Sequence, residues 1–255
     1  MAAPLGSNAS YWLYLSPIGA GFLRAVVGTP LDAVATREIL HHQNTSQVVR
    51  TMKFLDFWKG FQPNLLKFTT RTPIQFGSVK LSSWIVPTGY DPAFRGIIIG
   101  TLSSGIETTV INGFNSLRTR FIQEDGWKVL KQEGAPVLKK GLSSALLHRI
   151  LSGAIFWGIY EKLKNEYPSH GTAVSTLSGV VQVISTAPFY ITAIYRQRKG
   201  APREHLYRTF WHLYTTQTMR GLILPALAPR LVHSAVTSAP LMWLMEKLEL
   251  VHRKI

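Results

Sequence analysis

The chain has 255 residues, with 28 Lys and Arg against 13 Asp and Glu, for a formal net charge of +15. Only 16% of residues are charged while 46% are hydrophobic, which excludes a charge-rich disordered tail and leaves too little charge to cover an ordinary soluble enzyme. Cysteine is absent, so disulfide frameworks, cysteine zinc sites and thiol catalysis are excluded.

The N-terminal MAAPLGSNASYWLYL has no basic n-region and no Arg/Ser-rich amphipathic stretch, so no cleaved targeting peptide is expected. Sequons at Asn8 and Asn44 are too short a pattern to carry weight. Residues 1–23 hold no Asp, Glu, Lys or Arg, and neither do 167–195 or 231–245. A membrane crossing needs about 20 mostly apolar residues. With weaker segments at 61–86, 93–120, 141–163 and 221–247, six candidate spans emerge. Gly, Ser, Thr, Asn and Gln run through all of them, a mixture that suits membrane helices packed closely around a wet cavity. The alternative is a set of buried helices in a soluble α protein, and an internal repeat weighs against it.

Trp58-Lys59-Gly60, Lys139-Lys140-Gly141 and Met219-Arg220-Gly221 recur as residue-base-glycine, with the glycines 81 and then 80 residues apart. Each opens an apolar segment that ends near charge: Lys80, Tyr160-Glu161-Lys162 and Glu246-Lys247. Before each lies a basic boundary, at Arg37, Arg118/Arg120 and Arg196/Arg198. The stretches 37–59, 118–140 and 195–220 hold 4, 6 and 6 Lys/Arg, more than half of the 28. Each third therefore reads apolar helix, basic stretch, apolar helix, with the basic stretches gathered on one side of a membrane. The net charge is then a one-sided rim that faces anionic headgroups or draws in an anionic solute, and no nucleic-acid partner is needed to explain it.

In the first third, Pro30-Leu31-Asp32 precedes Arg37. A proline in a membrane helix frees a backbone carbonyl and kinks the chain. These residues, with WKGFQPNLLKFTTRTPIQFG at 58–77 and Glu133-Gly134…Lys140-Gly141, resemble the mitochondrial carrier family. The resemblance spans the whole chain and is most specific in the first third. It implies an all-α membrane protein with six transmembrane helices in three pseudo-symmetric repeats, approximately 8–88, 89–168 and 169–252, in one domain over 1–255. Short membrane-parallel helices are expected near 47–57, 127–133 and 204–216. The implied location is the mitochondrial inner membrane. The implied state is a monomer among membrane lipids, with an anionic lipid such as cardiolipin on the basic side.

The family closes its matrix side with a ring of ion pairs between odd helices, and here that ring is degraded. Ala35 stands where a base belongs. Gly113, Asn115 and Arg118 fill the second signature. Pro188, Tyr190 and Ala193 fill the third. By resemblance, the surviving gate pair is Asp32 with Arg118, and Pro30 and Pro188 are the helix kinks. On the opposite side, Glu161 and Lys164 match an aromatic-acid-base pattern, while Glu246 is followed by Glu249 where a base belongs. Taken alone, Asp32 also reads as a helix-end residue on a polar face.

Residues three or four apart share a helix face. Asn64, Lys67, Arg71 and Gln75 form one such stripe. His148, Arg149 and Ser152 form a second, and Arg230, Ser234 and Thr237 a third, with His233 adjacent. Lys67 and His148 each stand seven residues after a repeat glycine, the level at which the family binds substrate. The same count in the last third reaches Ala228, which points to a small insertion, and Arg230 is the residue named there. The substrate-binding set is then Lys67, Arg71, Gln75, His148, Arg149 and Arg230. Arg24, Glu107, Asn112, Gln182 and Tyr190 are candidate additions from odd helices.

This set predicts a small anionic solute exchanged by alternating access, since guanidinium groups suit phosphate and carboxylate. A nucleotide is favoured over a di- or tricarboxylate, with Tyr190 available to stack on a base. The competing reading is a carrier-fold protein that no longer transports and acts as a scaffold or insertion factor. No cofactor and no metal are expected: His41-His42 point to different helix sides. No phosphate loop or nucleophile elbow occurs, so no enzyme activity is expected.

Overall fold

The computed structural model describes residues 7–41, 43–123, 126–198, 200, 205–224 and 226–235. All regular structure among them is helical. Long helices α1 (Ser7–His41), α3 (Phe61–Ile85), α4 (Pro92–Gln123), α7 (Leu142–Glu166) and α8 (Gly171–Gln197) alternate with shorter ones. The shorter ones are α2 (Thr45–Thr51), α5 (Gly126–Glu133), α6 (Pro136–Lys139) and α9 (Leu206–Ile223). A last helix, α10, is described over 227–235. At 35 and 32 residues, α1 and α4 rise about 50 Å at ~1.5 Å per residue, well beyond the ~30 Å hydrocarbon thickness.

The long helices pack in a ring: α1 on α3, α3 on α4, α4 on α7, α7 on α8, and α8 back on α1. The tightest seam is α4 on α7. A Cβ on Gly100 would run into the carbonyl of Gly153, and one on Gly153 into the Ser104 hydroxyl. Missing side chains thus let two backbones meet, as in close-packed membrane helices. Polarity is inverted relative to a soluble bundle. Phe94, Ile97, Leu102, Ile106 and Val110 form an exposed apolar stripe on α4, while Asn64, Lys67, Arg71, Glu107 and Arg118 are buried. A soluble fold leaves charge outside and apolar side chains inside; this arrangement matches an apolar solvent around a polar interior. Two helical stretches among the described residues, Pro136–Glu166 and Pro168–Gln197, are long and apolar enough to cross a membrane.

The predicted short helix at 47–57 is broken in two. Met52 and Lys53 are extended, and a 3-10 turn, Phe54–Trp58, begins where the Lys53 N–H donates to the Asp56 carboxylate at 3.2 Å. Asp56 also meets Lys59 at 2.7 Å and Arg37 at 3.5 Å, tying this turn to the end of α1. The hydrogen bond from Lys59 is the main cause holding the Asp56 carboxyl below its ordinary range. The predicted helix at 127–133 is α5.

The third short helix departs furthest from expectation. Instead of ending near residue 216, α9 continues through Met219-Arg220-Gly221 to Ile223, and the turn comes at 224–226. The segment expected to begin at 221 therefore begins at 227. Gly60 (φ 86°) and Gly141 (φ 70°) precede α3 and α7 in the left-handed conformation, and Ala226 (φ 62°) does the same before α10. The hydrogen bonds match as well: Asn64 N–H donates to Gly60 O at 3.0 Å, Ala145 N–H to Gly141 O at 2.9 Å, and Arg230 N–H to Ala226 O at 3.1 Å. Glu38 on α1 accepts the Ala226 N–H at 2.5 Å. The first left-handed positions remain 81 residues apart, but Ala226 lies 85 after Gly141. Thr237, Glu246, Lys247 and Glu249 lie outside the described residues.

Candidate functional site

The ring encloses a cavity of about 160 Å³. Asp32, Lys67, Arg71, Gln75, Arg118, His148, Arg149 and Arg230 all line it, together with Arg24, Glu107, Gln182, Tyr190 and His233. Glu161 and Lys164 do not; they lie one turn apart toward the far end of α7. Pro30 and Pro188 both sit inside continuous helices. Gly28 makes room at the wall, since a Cβ there would stand 2.8 Å from His233 Nε2.

The left-handed turns at Gly60, Gly141 and Ala226 put Lys67, His148 and His233 in equivalent positions, seven residues along each helix. His233 packs beside Phe68, ring centroids 6.2 Å apart. Arg230, the residue named from sequence, stands one turn earlier, level with Asn64. The sequence signal was present in the chain, because His233 is flanked by the polar Arg230 and Ser234. It was hidden by counting from Gly221, a glycine that the backbone carries inside a helix.

Near the basic end, Asp32 is a hub. One carboxylate oxygen, Oδ2, lies 2.7 Å from Arg118 Nη1 and 3.4 Å from Lys67 Nζ. Asn64 donates to the same oxygen at 3.4 Å and to the Thr29 hydroxyl at 3.1 Å. Lys67 Nζ also stands 4.0 Å from the Phe68 ring centroid. Lys67 is thus held by the carboxylate that also pairs with Arg118.

Tyr190 is fully engaged by protein groups. The Arg230 guanidinium stands 3.9 Å from its ring centroid, and the His148 ring lies 5.3 Å away. His148 Nε2 lies 3.3 Å from the Ser152 hydroxyl, which donates on to Thr186 at 3.2 Å.

Further from the basic end the balance changes. Arg71 Nε lies 2.6 Å from Glu107 Oε1, although its N–H is not aimed at that oxygen. Arg24 and Arg149 face the same space. Over the whole lining, six Lys or Arg side chains meet two carboxylates. A surplus of buried cations is costly unless an anion offsets it.

Near the basic end of α4 and α8, side-chain hydrogen bonds link neighbouring helices. Gln197 donates to Asn112 at 3.4 Å and accepts from Thr119 at 3.3 Å. Asn112 donates to Leu138 O at 2.9 Å, and Ser116 to Lys140 O at 2.8 Å. Arg196 donates to the Ser143 and Ser144 hydroxyls, each at 2.8 Å. These contacts join α4, α8 and the turn before α7. None was visible as a charge motif.

No family model matches the chain. Similarity to individual proteins nevertheless extends over most of the chain. Over 258 residues it is 24% identical to mitochondrial thiamine pyrophosphate carrier 1 of Saccharomyces cerevisiae, covering 85% of this chain and 81% of the yeast protein. It is 23% identical to the mitochondrial 2-oxodicarboxylate carrier of Bos taurus, over 77% of this chain and 78% of that carrier. It is 22% identical to mitochondrial glycine transporter B of Danio rerio, over 86% and 88%. These relatives are carriers and transporters, which supports a role other than catalysis. An apolar outer stripe, a polar charged interior and carrier relatives across most of the chain agree: the chain is similar to mitochondrial carriers and is a protein of the mitochondrial inner membrane.

Proposed function

We propose that the chain moves a small anionic metabolite across the membrane by alternating access, as an exchanger. The carrying observation is the cavity itself: six cationic side chains against two carboxylates within a ring of long helices. In this reading the chain is one carrier unit of six spans in three repeats, working as a monomer. The equivalent left-handed turns before α3, α7 and α10 support the threefold reading. Lys67, Arg71, Gln75, His148, Arg149 and Arg230 are the solute contacts, with His233 added by register. Asp32 with Arg118 forms one gate, and Glu161 with Lys164 the other. The basic rim, including Lys59, faces anionic lipid.

Two observations favour a compact carboxylate over a nucleotide. A cavity of about 160 Å³ lies below the roughly 300–1,000 Å³ of pockets that take drug-sized ligands. Tyr190, the candidate base-stacking residue, is already covered by Arg230 and His148. For the solute to drive the change of state, it must bind the occluded form more tightly than the open ones.

The test is reconstitution in liposomes loaded with labelled dicarboxylate or nucleotide. Strict counter-exchange is expected, lost in Lys67→Ala and Arg149→Ala. Unaltered flux in both variants refutes the assigned contacts. A non-transporting scaffold or insertion factor is the second reading, favoured by Ala35, Asn115, Tyr190 and Ala193 standing where the family's ion-pairing residues belong. It predicts no exchange of any anion by the wild-type protein.

A further inference from the structure

The cavity charges fall into two tiers. In the tier nearer the basic end, Lys67 and Arg118 share the Asp32 carboxylate at 3.4 and 2.7 Å, so most of their charge is met within the protein. The second tier lies deeper along the helices. Arg71 is one turn beyond Lys67 on α3, and Arg24 is two turns from Asp32 on α1, about 12 Å at ~1.5 Å per residue. Arg149 reaches the same space from α7. These three arginines are close enough to repel one another. The carboxylate that pairs within this tier is Glu107, 2.6 Å from Arg71 Nε, while Asp32 acts on Arg24 more weakly from the other tier.

Arg24 is the least satisfied member. Its Nε and Nη1 are buried with no hydrogen-bond partner. Its guanidinium stands 5.5 Å from the centroid of the Phe68 ring, the ring that Lys67 also addresses. A buried guanidinium with idle donors, beside two others, is costly in the empty protein and favourable once an anion arrives. Three arginines and one carboxylate leave a surplus of two charges, which a dianion cancels and a monoanion does not.

We propose that Arg24, supplied by α1, joins Arg71 and Arg149 in a subsite that selects solutes carrying two negative charges, such as dicarboxylates or hydrogen phosphate. This rests on the transport reading above and deepens it, because it assigns charge selection to an arginine outside the α3, α7 and α10 register positions.

The test is thermal unfolding of the full-length protein in detergent, at pH 7.5 and constant ionic strength, titrated with succinate, inorganic phosphate or butyrate. Wild type is expected to bind succinate or phosphate at least about tenfold more tightly than butyrate, the loss typical of a charge-assisted hydrogen-bond pair. Arg24→Gln is expected to erase that preference, change butyrate affinity less than twofold, and leave the anion-free midpoint equal or higher, because repulsion is relieved. Arg24→Lys is expected to keep part of the preference. Retained dianion preference in Arg24→Gln overturns the subsite. A lowered anion-free midpoint, with both anions weakened alike in Arg24→Gln and Arg24→Lys, assigns Arg24 a structural role and also overturns it. Wild-type binding without preference sinks the subsite alone, while no response to any anion sinks the transport reading with it.

Discussion

Asp32→Asn should be the most damaging single change at the basic end. Lys67 Nζ and Arg118 Nη1 contact the same carboxylate oxygen at 3.4 and 2.7 Å, so they stand no more than about 6 Å from each other. Both side chains are nearly inaccessible, at 2% and 5% exposed. Wild type buries a cluster with one net positive charge. Asparagine keeps the shape, and Asn64 and Thr29 still lie within reach, but the cluster then carries two. At an effective dielectric of ~20, two unit charges about 6 Å apart repel by about 3 kcal/mol; in wild type the carboxylate offsets this repulsion, and in Asp32→Asn it stands uncompensated. This agrees with the ~3–5 kcal/mol usual for stripping a buried pair of one partner. By contrast, Lys67→Met or Arg118→Met lowers the cluster to zero net charge and leaves Asp32 one cation. Arg118→Met should cost more than Lys67→Met, because it removes the shorter bond. Thermal unfolding in detergent reads the order directly. At roughly 2–4 °C per kcal/mol for a chain near this length, Asp32→Asn should lower the midpoint by about 6 °C or more. A neutral Asp32→Asn, or a Lys67→Met that destabilises as much, would refute the hub.

The remaining predictions concern packing and register. Gly100→Ala places a methyl where the Gly153 carbonyl stands, so α4 and α7 must separate. The expected cost is about 1–3 kcal/mol, read as a lowered midpoint. Gly105→Ala meets nothing within 4 Å and serves as the control, neutral or stabilising by up to about 1 kcal/mol. Gly141→Ala should destabilise by about 1–2 kcal/mol, since its φ of 70° is left-handed and a Cβ there lies 2.8 Å from Gln197 Cγ. Gly221→Ala, on helical backbone, should instead hold or raise the midpoint. A loss at Gly221 equal to that at Gly141 would count against a helical backbone there. Lys67→Ala and Arg149→Ala should each abolish counter-exchange in liposomes while leaving the protein foldable, as judged by a retained cooperative transition.

Much of the helical organisation follows from local chemistry. The second segment was expected at 61–86 and α3 is Phe61–Ile85. The fourth was expected at 141–163 and α7 is Leu142–Glu166. In both cases a glycine takes a left-handed turn that most side chains resist, and a long apolar run follows it. The cationic stripe was legible for a similar reason: side chains at i, i+4 and i+8 share a face wherever the helix is continuous.

Tertiary structure decided the last third. A left-handed turn needs a residue that tolerates it, but a glycine does not compel one. At Gly221 the backbone stays helical, and the turn falls on Ala226, whose N–H is captured by Glu38 from 188 positions away in the chain. With that bond the turn stands five residues beyond Gly221, and His233 is level with Lys67 and His148. Likewise, composition alone carried the positive surplus, but only packing divided it. The Asp32 carboxylate meets Lys67 and Arg118, while Glu107 meets Arg71, with Arg24 and Arg149 lining the same cavity. Which cation meets which anion depends on distances between helices far apart in sequence, and no local pattern encodes them.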